Sequence, residues 1–503
     1  MNANAYVKLA DRWISVILIL ISTALLLTQT SPEFSWDEAD YLSALSKDWK
    51  SLWATGEYAR HHHGPLSIYL AKLGYQLFPD SLMPVEYQTR FFISLTGSLA
   101  VGFLYLLLRQ AFGCSRAAAF VGCFFLLFSV IRVAETNVIG PHHLMLVCTL
   151  LLVGLGYRWR DQPTFAHAAG LGLVIAFGAI SMTYIIPAVV GWGVAVTLAG
   201  RGWTAWDWKH FKFSWSLGVL GITAAIVLLA LGPPAILQKL MIRDFKFHLH
   251  FPYHTTLVGD QIYEITPRWA AFYWFGTLEF PLFLVSALVI PVALVRSIRS
   301  NQLSSKHFFV IICLLFFAWI ALKAHLAGSR NLIQLVGVLS LATGALFDDA
   351  FANKIRWRNL AAGAVVVVTA VNFIFVTRFA GCTPYLATDG YRAFIGENKE
   401  RLKEDVTALV YGLPIVKIYS DLAAAGIDWN VTDIPWTTAA DAPLADDVKY
   451  VLMPAFYDEH MPAHQPFRKV VAKEWNTVWV HRSSRAWELR LYERPASPSP
   501  RSN

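Results

Sequence analysis

Long apolar runs broken by short polar interruptions dominate the chain as far as residue 378. A hydrocarbon core near 30 Å needs about 17–25 apolar residues per helical crossing. Runs of that kind lie at 13–29, 88–108, 116–134, 142–157, 166–182, 184–199, 213–233, 271–295, 307–322, 331–347 and 359–377. The pattern predicts a polytopic α-helical membrane protein with about eleven transmembrane helices. The stretch 166–199 reads as a tight hairpin interrupted at Tyr184 and Pro187, since proline breaks the helical ladder. An odd number of crossings puts the chain ends on opposite sides. Two polar interruptions are long, 30–87 and 234–270. The first contains a short apolar helix, Gly64–Leu70 onward, opened by Pro65 in its first turn. It is too short to cross and suits the interface. In the second, residues 243–254 alternate polar and apolar positions, and Pro252 ends the alternation.

Beyond 380 the pattern changes. Short β-rich runs at Val406–Tyr411, Ile415–Tyr419, Val448–Met453, Thr477–His481 and Trp487–Tyr492 alternate with helical stretches. They predict a small α/β domain over 380–495, followed by a disordered tail at 496–503. The remainder, 1–379, forms the membrane domain with its outer loops 30–87 and 234–270.

Composition agrees. The chain is 56% hydrophobic and 15% charged, against about 25% charged in soluble proteins. The net charge of +8 does not point to nucleic acid, because much of the Lys and Arg sits in short loops between apolar runs. These loops carry Lys8 and Arg12, Arg109 and Arg116, Arg158 and Arg160, Arg201 with Lys209 and Lys212, Arg296 with Arg299 and Lys306, and Lys354 with Arg356 and Arg358. By the positive-inside rule they face the cytoplasm. The N-terminus is then cytoplasmic, and the long loops and C-terminal domain lie outside. Cys114, Cys123, Cys148 and Cys313 fall in or near apolar runs and Cys382 beyond them, with no spacing typical of zinc or a disulfide framework. Residues 13–29 lack a following A-x-A-like site and read as an uncleaved first span. No internal repeat, G-x-G-x-x-G, P-loop or nucleophile elbow occurs.

The first outer loop begins Ser35-Trp36-Asp37-Glu38-Ala39-Asp40-Tyr41. In a helix Asp37, Asp40 and Tyr41 share one face. Ser35 and Glu38 also make a capping box, and acids suit a first turn. The two readings are compatible, since Glu38 can cap while Asp37 faces a cavity.

The acidic pair just after the first span resembles the GT-C membrane glycosyltransferases, in particular the protein O-mannosyltransferases and the bacterial aminoarabinose transferases of lipid A. His63-Gly64-Pro65-Leu66 is similar to that family's Pro-Pro-Leu loop motif, and Gly328-Ser329-Arg330-Asn331-Leu332 to its Arg-Tyr-Leu segment. Two departures stand out. Relatives often carry a second acid at the mouth of the fourth span, where this chain has Gly140-Pro141-His142-His143. Gly64 replaces a proline, and His63 stands where the aminoarabinose group tends to have lysine.

The resemblance implies transfer of a sugar from a polyprenyl-phosphate donor to a lipid, glycan or protein acceptor, with inversion, at the outer face of a plasma membrane, the bacterial inner membrane. Such chemistry needs a base for the acceptor proton, Asp37 first and Glu38 second. It also needs cations for the departing phosphate, from Arg330, Lys323 and His63. Tyr41, His142 and His143 are further substrate-binding candidates, the two histidines in place of the missing acid. A divalent metal, zinc or magnesium, has possible ligands in His61, His62, His248 and His250. Plainer readings stand beside these. Lys323 and Arg330 end spans, where long cations reach for headgroups. Loop histidines are commonly solvated, and Trp36, Tyr41 and Trp49 fit an interfacial aromatic belt. Two other functions remain open: a transporter or flippase of a lipid-linked substrate, and a non-catalytic GT-C relative in envelope polysaccharide assembly. A transporter would show mid-span ionisable residues and paired broken helices in two similar halves.

Overall fold

The structure is a computed structural model. It describes residues 3–30, 38, 45, 48–50, 66–79, 81–136, 138–161, 164–181, 185–198, 211–231, 256–258, 261–263, 269–323, 332–351, 354–378, 393–394, 396–398, 406–410, 431–434, 447–454, 471, 473–484 and 487–495. The chain divides into two compact units, one of Met1–Thr30 with Asp48–Pro384, the other of Ser31–Lys47 with Tyr385–Asn503.

In the first unit a helix overlies every apolar run. They are α1 (Ala3–Thr28), α2 (Leu66–Leu77), α3 (Val85–Leu106), α4 (Arg116–Leu127), α5 (Val130–Thr136), α6 (His142–Asp161), α7 (Phe165–Ser181), α8 (Ile185–Leu198) and α9 (Phe211–Leu231). After a small hairpin, β1 (Thr256–Val258) with β2 (Gln261–Tyr263), come α10 (Ala270–Leu278), α11 (Phe280–Arg299), α12 (Ser305–Lys323), α13 (Ile333–Phe351) and α14 (Ile355–Arg378). Among the described residues five helical stretches are long and apolar enough to cross a membrane: Val7–Thr28, Val85–Ala111, Phe280–Arg299, Ile333–Phe351 and Ile355–Thr377. The bent pair α4–α5 makes a sixth. Trp13, Ile17 and Leu20 on α1 and Val367, Val371 and Phe375 on α14 are exposed. Such stripes would be a liability in water and are an ordinary surface in lipid.

Two apolar runs are not single helices. Run 116–134 bends by 55° between α4 and α5. Ser129 supplies a new N-cap there, its Oγ accepting the Arg132 N–H at 3.0 Å. Run 271–295 breaks at Glu279, and Pro281 starts α11 at a position where a missing N–H costs nothing.

The core joins α3, α4 and α13, which meet through small residues. Gly122 of α4 leaves room for the Ser340 carbonyl and Leu108, and Gly344 of α13 for Leu108 as well. At one end the helices are tied by charge. Asp11 accepts from Tyr105 Oη at 3.1 Å, Arg109 Nε at 3.1 Å and Arg116 Nε at 3.4 Å, joining α1, α3 and α4. Asp348 of α13 accepts from Ser115 N–H and Oγ, both at 2.6 Å, and from Arg358 at 3.2 Å. Lys306 meets Asp349 at 2.7 Å, and Arg296 donates to the Ala350 carbonyl. These groups belong to the short basic loops, so the helix alternation brings those loops to a common end.

In the second unit β3 (Val406–Val410), β4 (Val431–Ile434), β5 (Val448–Pro454), β6 (Asn476–Ser484) and β7 (Trp487–Glu493) form a sheet in the order β4-β3-β5-β7-β6. β3 runs parallel to β4 and β5, while β5–β7 and β7–β6 are antiparallel. Val431–Ile434 is a strand that its sequence does not announce: four residues are too few to show alternation. Ile415–Tyr419 and the tail 496–503 lie outside the described residues.

Candidate functional site

The opposite end of the helices in the first unit is polar inside. Glu86, Gln88 and Arg90 begin α3, Arg132, Glu135 and Thr136 make up much of α5, and His142 and His143 open α6; all are buried. Ionisable groups in apolar surroundings are expensive unless paired, so their gathering needs a cause.

Part of that cause is a knot at the bend between α4 and α5. Glu279 Oε1 accepts from Ser129 Oγ at 2.6 Å and from the Ile131 N–H at 2.8 Å. Arg132 donates to Ser22 Oγ of α1 at 3.0 Å and to the Leu127 carbonyl at 3.1 Å. Arg132 and Glu279 also attract each other. The bend exposes the last carbonyls of α4 and the first N–H groups of α5, which a continuous helix would satisfy internally. Glu279 takes one orphan donor and Arg132 one orphan acceptor. The knot fixes α5, which leads directly into the turn before His142.

A second group lines α3. Glu86, Arg90 and Ser94 stand four residues apart, on one helix face, and Gly97 continues that face. Gly97 is where α3 touches its neighbours: a Cβ there would lie 2.8 Å from Thr136 Cγ2 and 3.3 Å from His143 Cβ. The stripe therefore descends toward α5 and α6. We expect Gly97→Val to cost about 1–3 kcal/mol by overpacking, read by thermal unfolding in detergent. Unchanged stability would mean that the three helices do not meet there.

The short helix α2 closes this end. Its Gly74 lies against the Gln88 backbone, and Ser67 Oγ donates to the Gly140 carbonyl at 2.9 Å. On its other face Lys72 Nζ lies 5.6 Å from the Trp49 ring centroid, and Trp49 Nε1 donates to Gln76 at 2.8 Å. Burial pulls the Lys72 ammonium below its usual range, with Asp48 drawing it partly back.

Of the residues singled out from sequence, His142 and His143 fall within this cluster, His143 fully buried. Glu38 is a fully buried helical residue of the second unit. Lys323 ends α12, its side chain not described. Asp37, Tyr41, His61, His62, His63, His248, His250 and Arg330 lie outside the described residues. Among the described residues no three His, Cys, Asp or Glu side chains gather to hold a metal. Glu86, Arg90, Ser94, Arg132 and Glu279 were not singled out from sequence. For Arg132 and Glu279 a signal exists, since each is an ionisable residue within an apolar run.

No protein-family model matches the chain, and no curated protein does. Solved structures do match. ArnT from Cupriavidus metallidurans bound to undecaprenyl phosphate aligns with a TM-score of 0.56 at 14% identity, covering 99% of each chain. The same protein in the apo state gives 0.55 at 13%, covering 98% of each. The archaeal oligosaccharyltransferase AglB from Archaeoglobus fulgidus, in complex with an inhibitory peptide and a dolichol-phosphate, gives 0.52 at 12%, covering 99% of this chain and 75% of that one. At such identities the likeness is one of fold.

Proposed function

We propose, from the premise that the chain has the GT-C fold, that it is an integral membrane glycosyltransferase taking a sugar from a polyprenyl-phosphate donor. The observation that carries this reading is the likeness over the whole chain to proteins solved with undecaprenyl phosphate and with dolichol-phosphate. In this reading about eleven helices cross a plasma membrane, the bacterial inner membrane, and the basic end faces the cytoplasm. Chemistry belongs to the outer end, where the loops 30–87 and 234–270 and the domain 380–495 emerge. The acceptor is a lipid, glycan or protein.

The roles follow from charge. An acceptor hydroxyl or amine must lose a proton as it attacks the anomeric carbon. Asp37 takes that proton, with Glu38 as the second candidate. The bond from the sugar to the phosphate oxygen breaks, and negative charge grows on the lipid phosphate. Arg330, Lys323 and His63 meet that charge, arginine with the fork geometry that suits phosphate. Attack from the face opposite the leaving phosphate inverts the anomeric centre. No step is routed through a metal. If His61, His62, His248 and His250 hold zinc or magnesium, chelation should remove the ion and the transfer activity together. Metal analysis before and after treatment checks this.

Broken spans and buried charge also occur in transporters. Here the charge at the breaks is engaged by the backbone and by neighbouring side chains, and the opposite end is tied by Asp11, Asp348 and Asp349. That arrangement suits a fixed scaffold better than one that opens alternately. The deciding experiment is incubation of membranes containing the protein with a panel of radiolabelled polyprenyl-phosphate sugars. Label moving to a new product supports transfer. Label that only changes leaflets would point to a flippase, and no movement of either kind to a non-catalytic relative.

A further inference from the structure

An apolar groove of about 330 Å³ opens between α11 and α12. Both helices pack on α13 and scarcely on each other, which leaves a wedge between them. Phe283 and Ala287 belong to one wall, Leu315 and Ala318 to the other, and Leu335 and Leu339 of α13 to the floor. The rim is open, with Phe283, Leu315 and Phe272 of α10 exposed, and Leu284 and Leu288 exposed beside it. In a helix long and apolar enough to cross a membrane, such a face borders hydrocarbon. The lining presents almost no polar surface. Its hydroxyl, Ser286 Oγ, is turned onto α13, where it meets Thr343 Oγ1 at 2.6 Å.

We propose that this groove holds an acyl chain of a bilayer phospholipid as a structural ligand of the protein. The polarity of the lining selects hydrocarbon and rejects a water-borne ligand. The length fits as well. From Phe283 to Pro291 the groove follows α11 for about 12 Å at 1.5 Å per residue, close to the ~15 Å of hydrocarbon in one leaflet. It occupies the half of α11 remote from Arg296 and Arg299. Position separates it from the polar cluster described above. Leu335 and Leu339 share one face of α13. Gly337, against Leu146 of α6, and Gly344, against Leu108 and the Ala118 carbonyl of α4, lie on the opposite face. α13 therefore stands between the groove and α6, the helix that His142 and His143 open, and the groove faces the bilayer rather than the cluster. The inference does not depend on the glycosyltransferase reading. A chain in the groove also has structural work. Phe275 of α10 and Phe283 of α11 both line it, one on each side of the break at Glu279. A chain lying on both rings packs the two segments together by many small dispersion contacts. Glu279 between them holds Ser129 at the bend of the other broken span.

The test uses the full chain, delipidated in detergent, with thermal unfolding followed as dioleoyl phosphatidylethanolamine, dioleoyl phosphatidylglycerol or undecaprenyl phosphate is added. Both phospholipids should raise the melting temperature of the wild type, and by similar amounts, because the groove reads the chain and not the headgroup. Ala287→Trp fills the groove from one wall and Ala318→Phe from the other. Each should lose the phospholipid response and melt, without lipid, at or above the delipidated wild type. Leu288→Trp adds the same bulk to α11 outside the groove and should keep the response. If it loses the response as well, or if the two groove variants keep it, the effect comes from lipid around the whole bundle and the groove assignment is wrong. A response to undecaprenyl phosphate alone, lost in the groove variants, would make the occupant an isoprenoid chain and overturn the phospholipid assignment. Native mass spectra of the wild type before delipidation need no variant. They should show phospholipid retained on the protein, and its absence, with no thermal response to phospholipid, would overturn the proposal even if neither groove variant folds.

Discussion

Asp37→Asn is expected to lower sugar transfer by about 10²–10⁴-fold, the range a positioned general base contributes, without changing membrane insertion or melting temperature. The amide keeps the size of the carboxylate and loses its ability to take a proton. Initial rates with the preferred polyprenyl-phosphate sugar, alongside unfolding in detergent, measure both halves of the expectation. Glu38→Gln provides the contrast. Glu38 is fully buried, so its substitution should register in stability at least as much as in rate. An Asp37→Asn protein with full activity would move the base elsewhere, and Glu38 would be the next carboxylate to test.

The second large effect concerns the knot at the bent span. Arg132 and Glu279 are buried charges that hydrogen-bond to Ser22, the Leu127 carbonyl, Ser129 and the Ile131 N–H rather than to each other, and removing such a group leaves its buried partners unpaired, at a cost of about 1–3 kcal/mol. Arg132→Met and Glu279→Gln should each approach that loss, read from chemical unfolding in detergent. The double variant should lose less than the sum of the two, with a coupling of about 1–3 kcal/mol. Strict additivity would show that Arg132 and Glu279 act independently. Transfer should fall in the single variants even at temperatures where they remain folded. Glu279 and Ser129 together set the direction of α5, and α5 carries Thr136 against Gly97 beside His143. Displacing that helix by about 1 Å is enough to cost 10²-fold in a reaction that depends on orientation.

These two expectations draw on different kinds of information. Asp37 could be chosen from the chain alone, because an acidic pair behind a first apolar span is a local pattern. Glu279 could not be given a role in that way. It lies 148 residues from Ile131, to whose N–H it bonds, and 150 from Ser129. Its neighbourhood in sequence is an aromatic, apolar run that reads as one uninterrupted span. Arg132 likewise sits 110 residues from Ser22.

The amino-acid sequence by itself determined where helices form and which short loops are basic, and it pointed to strands in the C-terminal part, where a small sheet lies. Each of these depends on the composition of a short window: enough consecutive apolar residues to fill a bilayer, or cations flanking them. It also carried the motifs that resemble the GT-C fold, which the whole-chain likeness to solved structures bears out. Tertiary structure alone decided that two apolar runs are broken, at Phe128–Ser129 and at Glu279, and that Gly97 of α3 packs against Thr136 of α5 and His143 of α6. The reason is that a polar residue in an apolar helix is ambiguous until its partner is known. The partner comes from a distant part of the chain, brought near by packing that no local pattern encodes.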